Sequence, residues 1–338
     1  MPACADSGPE GRTRVPAKTP VAELHMHLEG SLEPELIFEL AERNDVALPH
    51  ETIEDLRARY EFTDLQSFLD LYFENMSVLR TAQDFADLTR AYFARAAAAG
   101  VAHAELFFNP QAHTSRGVPL EAVLDGIMDA VQASEHEYGI SSAAIAAVLR
   151  DRPASEAHDM LAGILKHGAP IIGLGLDSAE VGNPPSLFAD VFAQARAEGL
   201  HVVAHAGEEG PPEYVWQALD VLGAERIDHG VRSLEDPALV RRLVEEEIPL
   251  TVCPLSNVRL CVFDSLAEHP LRTMLDAGLL VTVNSDDPAY FGGYVDENFD
   301  QLRHHIGLTD AERETLARNS IRASFLSDAA KAELLRVP

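Results

Sequence analysis

The stretch Val21-Ala22-Glu23-Leu24-His25-Met26-His27-Leu28-Glu29-Gly30-Ser31 decides between the two folds open to this chain. Residues 21–28 read as a buried strand in which polar and apolar side chains alternate. In an open doubly wound sheet the first strand would run into a glycine-rich phosphate loop, whereas this one runs into His27-Leu28-Glu29-Gly30-Ser31. Seven more runs have strand character, at residues 101–108, 142–149, 171–176, 201–205, 226–229, 249–253 and 280–284. Segments of helical length separate most of them, among them 120–138, 155–166, 186–198, 213–222, 237–247 and 270–277. Gly100, Gly139, Gly168, Gly199, Gly223, Pro249 and Gly278 punctuate the joints, as helix ends and turns require. Eight strands alternating with helices pair in parallel through right-handed crossovers, and eight is the number that closes a barrel. The expected fold is an α/β (β/α)8 TIM barrel.

Between the first two strands lies a long insertion, residues 32–100, that reads as several helices, including 34–43 and 64–79. It is expected to pack over one barrel mouth as a lid. Helices after Val295 are expected to cap the barrel. Residues 1–20 read as a loose, disordered N-terminal tail, and 21–338 as a single domain without linker or repeat.

Composition narrows the partners. The 338 residues include 26 Lys and Arg against 55 Asp and Glu, a formal charge of −29 that repels phosphate backbones and anionic lipid. Nucleic acid and membrane are therefore excluded as partners, and a homo-oligomer is left open. No apolar run approaches the roughly 18 residues of a membrane-spanning helix. Cys4, Cys253 and Cys261 are odd in number and form no C-x-x-C pair, so they read as free thiols. The first twenty residues lack the apolar stretch of a signal peptide, and a cytoplasmic location is expected.

The residues that can carry chemistry sit at the ends of the strands, where such barrels place their reactive groups. Alternation points His25 and His27 the same way, and two imidazoles side by side in a barrel are costly unless a metal uses them. His205 ends the fifth strand with Glu208 three residues on, and His229 ends the sixth. The eighth exits through Ser285-Asp286-Asp287-Pro288, adjacent carboxylates that repel unless a cation neutralises one. Three imidazoles and a carboxylate suit zinc with a position left for water, whose pKa zinc lowers from 15.7 toward roughly 7. No lysine lies between Lys166 and Lys331 to bridge a second ion, so one zinc per chain is the better count. The small cytidine-type deaminases are excluded, because His103-Ala104-Glu105 has no C-x-x-C after it. His103 and Glu105 read as structural.

Taken together, His25-Met26-His27, His205-Ala206-Gly207-Glu208, His229-Gly230 and Ser285-Asp286-Asp287-Pro288 resemble the adenosine/adenine deaminase family of the amidohydrolase superfamily. The resemblance runs from Pro20 to about Leu326, with the four motifs in the family's order. It implies a distorted barrel holding one zinc through His25, His27, His205 and Asp286. It also implies Glu208 as proton donor, His229 orienting or deprotonating the attacking water, and Asp287 holding the purine ring. A protonated Glu208 would need a raised pKa in a pocket with little water.

Residues 175–180, 208–214 and 286–294 are similar to the adenine deaminase branch, which implies hydrolysis of adenine to hypoxanthine and ammonia in purine salvage. Adenosine, N6-substituted adenines and aminofutalosine-type compounds are the alternatives on the same scaffold. A non-catalytic purine-binding protein is the alternative of another class. Glu29 stands where the nucleoside branch has Asp, and if strand alternation persists its carboxylate meets the N9/N3 edge of the base. Tyr290, Phe291, Trp216 and Phe62 are candidates for the pocket wall.

Overall fold

In the computed structural model, which describes residues 19–336, eight parallel strands hydrogen-bond in sequence order. They are β1 (Val21–His27), β2 (Val101–Phe108), β3 (Ser141–Leu149), β4 (Gly173–Asp177), β5 (His201–Ala206), β6 (Arg226–His229), β7 (Leu250–Val252) and β8 (Val281–Val283). All eight fall where the sequence predicts them. The expected tail, residues 1–20, lies outside the described residues apart from Thr19 and Pro20. Among the described residues, no helix is long and apolar enough to cross a membrane.

Helices Leu120–Tyr138 and Ala154–His167 each end at a glycine, Gly139 and Gly168, whose φ values of +71° and +80° stop the helix and turn the chain into the next strand. Segments expected as single helices are composite. The 186–198 stretch splits into a 3-10 turn, Pro185–Phe188, and a helix, Ala189–Ala197.

The barrel closes between β1 and β8 with few ladder bonds. At the C-terminal end of the strands the His27 N–H donates to the Asp286 carbonyl at 2.9 Å, and the Asp286 N–H donates to the His25 carbonyl at 3.0 Å. Below them the Leu24 N–H reaches Asn284 Oδ1 at 3.0 Å. Glu23 Oε1 accepts from both the N–H and the hydroxyl of Ser285, at 2.9 and 2.7 Å. Helix Asp310–Ala323 seals the other end, where the Ala22 N–H donates to Ser320 Oγ at 2.9 Å and Asn319 Nδ2 to the Val281 carbonyl at 3.0 Å. The C-terminal helices thus cap the floor and the seam.

A buried ion pair fills the floor. Arg226 Nη1 donates to Glu105 Oε2 at 2.6 Å, while Glu105 Oε1 faces His103 Nε2 at 3.2 Å. Burial alone would raise the Glu105 carboxyl, but Arg226 and then His103 overcome it and hold it at about 2. This accounts for His103 and Glu105 as structural groups.

The insertion supplies four helices, of which Leu65–Asn75 bears on the site. Asp64 caps it, accepting from the Ser67 N–H at 2.8 Å. Its buried face carries Leu65, Phe68, Leu69 and Tyr72, and the chain then tightens into a 3-10 turn, Met76–Val78. The expected helix over 64–79 therefore stops at Asn75, whose amide donates to the Tyr290 hydroxyl at 3.1 Å.

The loop after β5 is held from β4. Glu180 accepts the backbone N–H groups of Gly207, Glu208, Glu209 and Gly210 at 2.7, 3.1, 2.9 and 2.8 Å. One buried carboxylate thus satisfies four consecutive donors that no strand or helix would pair. Glu180→Ala leaves them buried without an acceptor. Hydrogen bonds to a charged group contribute about 1.5–3 kcal/mol, so amide exchange at 207–210 is expected to accelerate by at least about tenfold in the variant. Unchanged exchange at those four amides would show that the loop holds itself.

Candidate active site

The strand ends converge on a cavity at the barrel mouth. His27, His205, Glu208, His229, Asp286 and Asp287 line it, with Asn109, Asp177 and Ser178 beside them. The lid helix contributes Leu65, Phe68, Leu69 and Tyr72 to the apolar wall. The expected wall residues Tyr290, Phe291, Trp216 and Phe62 are not in the lining. Tyr290 and Phe291 pack behind the lid against Phe68 instead.

The imidazoles crowd together. His25, His205, His229 and Asp286 each offer a ligand atom within 4.8 Å of the others, and an overlapping group joins His27 with Asp286 and Asp287. His27 Nε2 lies 3.1 Å from His205 Nε2. Asp286 Oδ1 is 3.5 Å from His25 Nε2 and equally far from His27 Nε2.

The outer ring nitrogens explain how three of these rings are aimed. His25 Nδ1 faces the Thr251 carbonyl at 3.1 Å, which fixes a proton on Nδ1 and leaves Nε2 as a lone pair. His205 Nδ1 lies 3.4 Å from Asp228 Oδ2, and His27 Nδ1 lies 3.5 Å from Asp177 Oδ2. Acceptor oxygens at those positions favour the same tautomer. The inner nitrogens of His25, His27 and His205 then present lone pairs to one another and to Asp286. His25 Nε2 is buried with no hydrogen-bond partner at all. Lone pairs facing across 3.1 Å repel unless a cation lies between, so this donor set fits a metal of zinc's preferences.

The carboxyl groups divide into unlike states. Burial would raise Asp286, but His25, His229 and His27 overcome it and hold the group well below its usual range. Glu208 is pushed well above its range by burial, then by the neighbouring Asp286 and Glu180 carboxylates. Asp287 is raised in the same way, by burial and then by Asp286. Like charges packed this closely cannot all ionise. His229 is driven well below its ordinary value by burial and by His25. Its Nε2 faces Glu208 Oε2 at 3.5 Å and Asp286 Oδ2 at 3.7 Å. Glu180 holds no comparable position, because both its oxygens are taken by the loop amides.

Glu29 departs from expectation. The strand ends at His27, and Leu28–Ser31 forms a 3-10 turn, so the alternation that would aim Glu29 at the cavity does not persist. Its Oε1 instead accepts from His113 Nε2 at 2.8 Å and from the Asn109 N–H at 3.0 Å, outside the cavity lining. Arg116, which can only donate, reaches His113 Nδ1 at 2.7 Å and so places the ring proton on the nitrogen facing Glu29. Asp177 occupies the wall in its place. Asn109 Nδ2 donates to its Oδ2 at 2.7 Å, and Oδ1 is buried without a partner. Burial pushes the Asp177 carboxyl up to about 8.

The chain matches the family model described as adenosine deaminase over residues 20–337. It is 60% identical to an adenine deaminase of Streptomyces coelicolor, an alignment covering 91% of each protein. The crystal structure of an adenine deaminase from Arthrobacter aurescens superposes with a TM-score of 0.93 at 61% identity, covering 94% of this chain and 97% of that one. An amidohydrolase from Burkholderia ambifaria with bound zinc aligns at 29% identity and a TM-score of 0.85, covering 93% of this chain and 88% of its own. With the family model matched over almost the whole barrel and these relatives beside it, the chain belongs to the adenosine deaminase family.

Proposed function

We propose that this protein hydrolyses adenine to hypoxanthine and ammonia, with residues 21–338 acting as one metal-dependent domain. The observation that carries the reaction class is Glu208, a carboxyl kept neutral in the cavity within 3.5 Å of His229 and beside an ionised Asp286. The substrate rests on relatives named adenine deaminase at 55–61% identity. A zinc held by His25, His27, His205 and Asp286 would supply water acidified from a pKa of 15.7 toward roughly 7.

The side chains account for the remaining chemistry. Attack at C6 breaks the aromaticity of the purine, and it becomes feasible when N1 is protonated in the same step. Glu208 holds that proton at the operating pH because its carboxyl is displaced upward. Asp287, likewise neutral, presents its proton to N7. Asp177, with Oδ1 free of partners, is the wall carboxyl available to accept N9–H. Apolar side chains of the lid, Phe68 and Leu69 among them, keep bulk water from the reacting edge. The partner is thus a small aminopurine. We place the enzyme in the cytoplasm, in purine salvage, consistent with its unpaired cysteines Cys253 and Cys261.

The deciding experiment is a panel of adenine, adenosine, N6-alkyladenines and aminofutalosine, followed by loss of the 6-aminopurine absorbance. Adenine is expected to exceed adenosine by at least about a hundredfold in kcat/KM, since a site built around a substrate N–H rejects the analogue lacking it by up to roughly 10⁵. Comparable values would promote the nucleoside reading. Glu208→Gln keeps the shape but cannot deliver a proton, so turnover should fall roughly 10²–10⁴-fold with metal content intact. Near-normal turnover in that variant would remove Glu208 from the role. Purified protein should carry about one zinc per chain, and His27→Ala should lose metal and activity while staying folded. Two tightly held ions, or activity surviving exhaustive chelation, would sink the single-zinc mechanism.

A further inference from the structure

The fourth imidazole is wired differently from the other three. The Leu271 backbone N–H donates to His269 Nδ1 at 3.2 Å. A backbone amide has no lone pair to offer, so Nδ1 is the accepting nitrogen and the His269 proton lies on Nε2. That N–H meets Asn257 Oδ1 at 3.2 Å. With its oxygen so used, Asn257 turns its amide nitrogen toward His229 Nδ1 at 3.3 Å. An amide nitrogen can only donate, so His229 accepts at Nδ1 and carries its proton on Nε2. A doubly protonated His229 would set N–H against N–H at that contact. All three side chains are buried, with Asn257 fully enclosed, and no solvent competes for these bonds.

Hydrogen-bond direction therefore sorts four clustered histidines into two kinds. His25, His27 and His205 turn lone pairs inward. His229 turns a proton inward, toward Glu208 Oε2 and Asp286 Oδ2. This separates His229 from a ligand set that its distances alone would let it join.

We infer that Asn257 and His269 are positioning residues that hold His229 as an Nε2–H donor, so that it directs the attacking oxygen by hydrogen bonding and does not take its proton. A ring nitrogen that already bears hydrogen cannot serve as the base. That proton then leaves to a group other than His229. The inference rests on the reading that hydrolytic deamination occurs at this cavity, while the tautomer itself is a property of the folded protein.

The test uses full-length, zinc-loaded protein labelled with ¹⁵N-histidine and read by long-range ¹H–¹⁵N correlation, with His229 assigned through His229→Gln. The unmutated protein should show His229 protonated at Nε2. Asn257→Asp, the same shape with an acceptor in place of the donor, should move the proton to Nδ1. Turnover of adenine should then drop by at least about tenfold with KM and zinc content held, the pattern of a loss confined to the chemical step. His269→Gln, which can still donate to Asn257, should keep the Nε2–H signature and most of the turnover. A His229 protonated at Nδ1 in the unmutated protein overturns the inference, and that spectrum decides even if Asn257→Asp fails to fold. An Nε2–H signal in Asn257→Asp overturns the role of Asn257. Adenine left intact by a protein with the Nε2–H signal would sink the substrate reading alone.

Discussion

Asp286 ties the two ends of the sheet together and supplies the charge around which the mouth is arranged. Its backbone bonds to both His25 and His27 across the seam, so the residue that closes the barrel is also the one aimed at the imidazoles. Burying a carboxylate costs several kcal/mol unless it is matched; His229 turns its Nε2–H toward Asp286, and a cation shared with the lone pairs of His25 and His27 would supply the rest. Once Asp286 is ionised, Glu208 and Asp287 cannot be. A single anion thereby produces two neutral acids in the same pocket, the division of labour that acid–base chemistry at neutral pH needs.

This arrangement is held by backbone in an uncommon conformation. Ser178, His229 and Asp286, at the exits of β4, β6 and β8, all have positive φ, at +72°, +63° and +63°. Each such residue costs of order 1–3 kcal/mol and persists only where its surroundings over-determine it. Here the surroundings are identifiable: the Asn257 amide on His229, and the paired backbone bonds on Asp286. The left-handed turn lets a strand end abruptly while its last side chain still points across the mouth.

Much of this was legible in the sequence, and the exceptions have definite causes. Strands buried on both faces read as short apolar runs between glycines and prolines, which is why all eight stood out. His25 and His27 were legible because alternation inside a strand is a strict geometric rule. For Glu29 the condition that alternation persists fails, because β1 tightens into a 3-10 turn over Leu28–Ser31. Asp177 stood within the stretch 175–180 without a role of its own. Its place on the wall depends on Asn109, 68 residues away, and on His27. Tyr290 and Phe291 were as plausible for the wall as Phe68, because only the docking of the lid decides which aromatic faces inward. The bond from His269 to Asn257 spans a loop with no periodicity to read.

The seam between β1 and β8 also fixes when, in the life of the chain, the site comes into being. β1 is made well before its partners, since its Leu24 N–H awaits an acceptor 260 residues downstream and its Ala22 N–H one 298 residues downstream. Contacts that distant carry the largest loop-closure cost and form late. Until β8 is made, the histidine pair therefore sits on an unpaired edge strand, a liability for association with other chains. Asp286 and the sealing helix Asp310–Ala323 are made only after all eight strands. The pocket is assembled last although its first two imidazoles are made first.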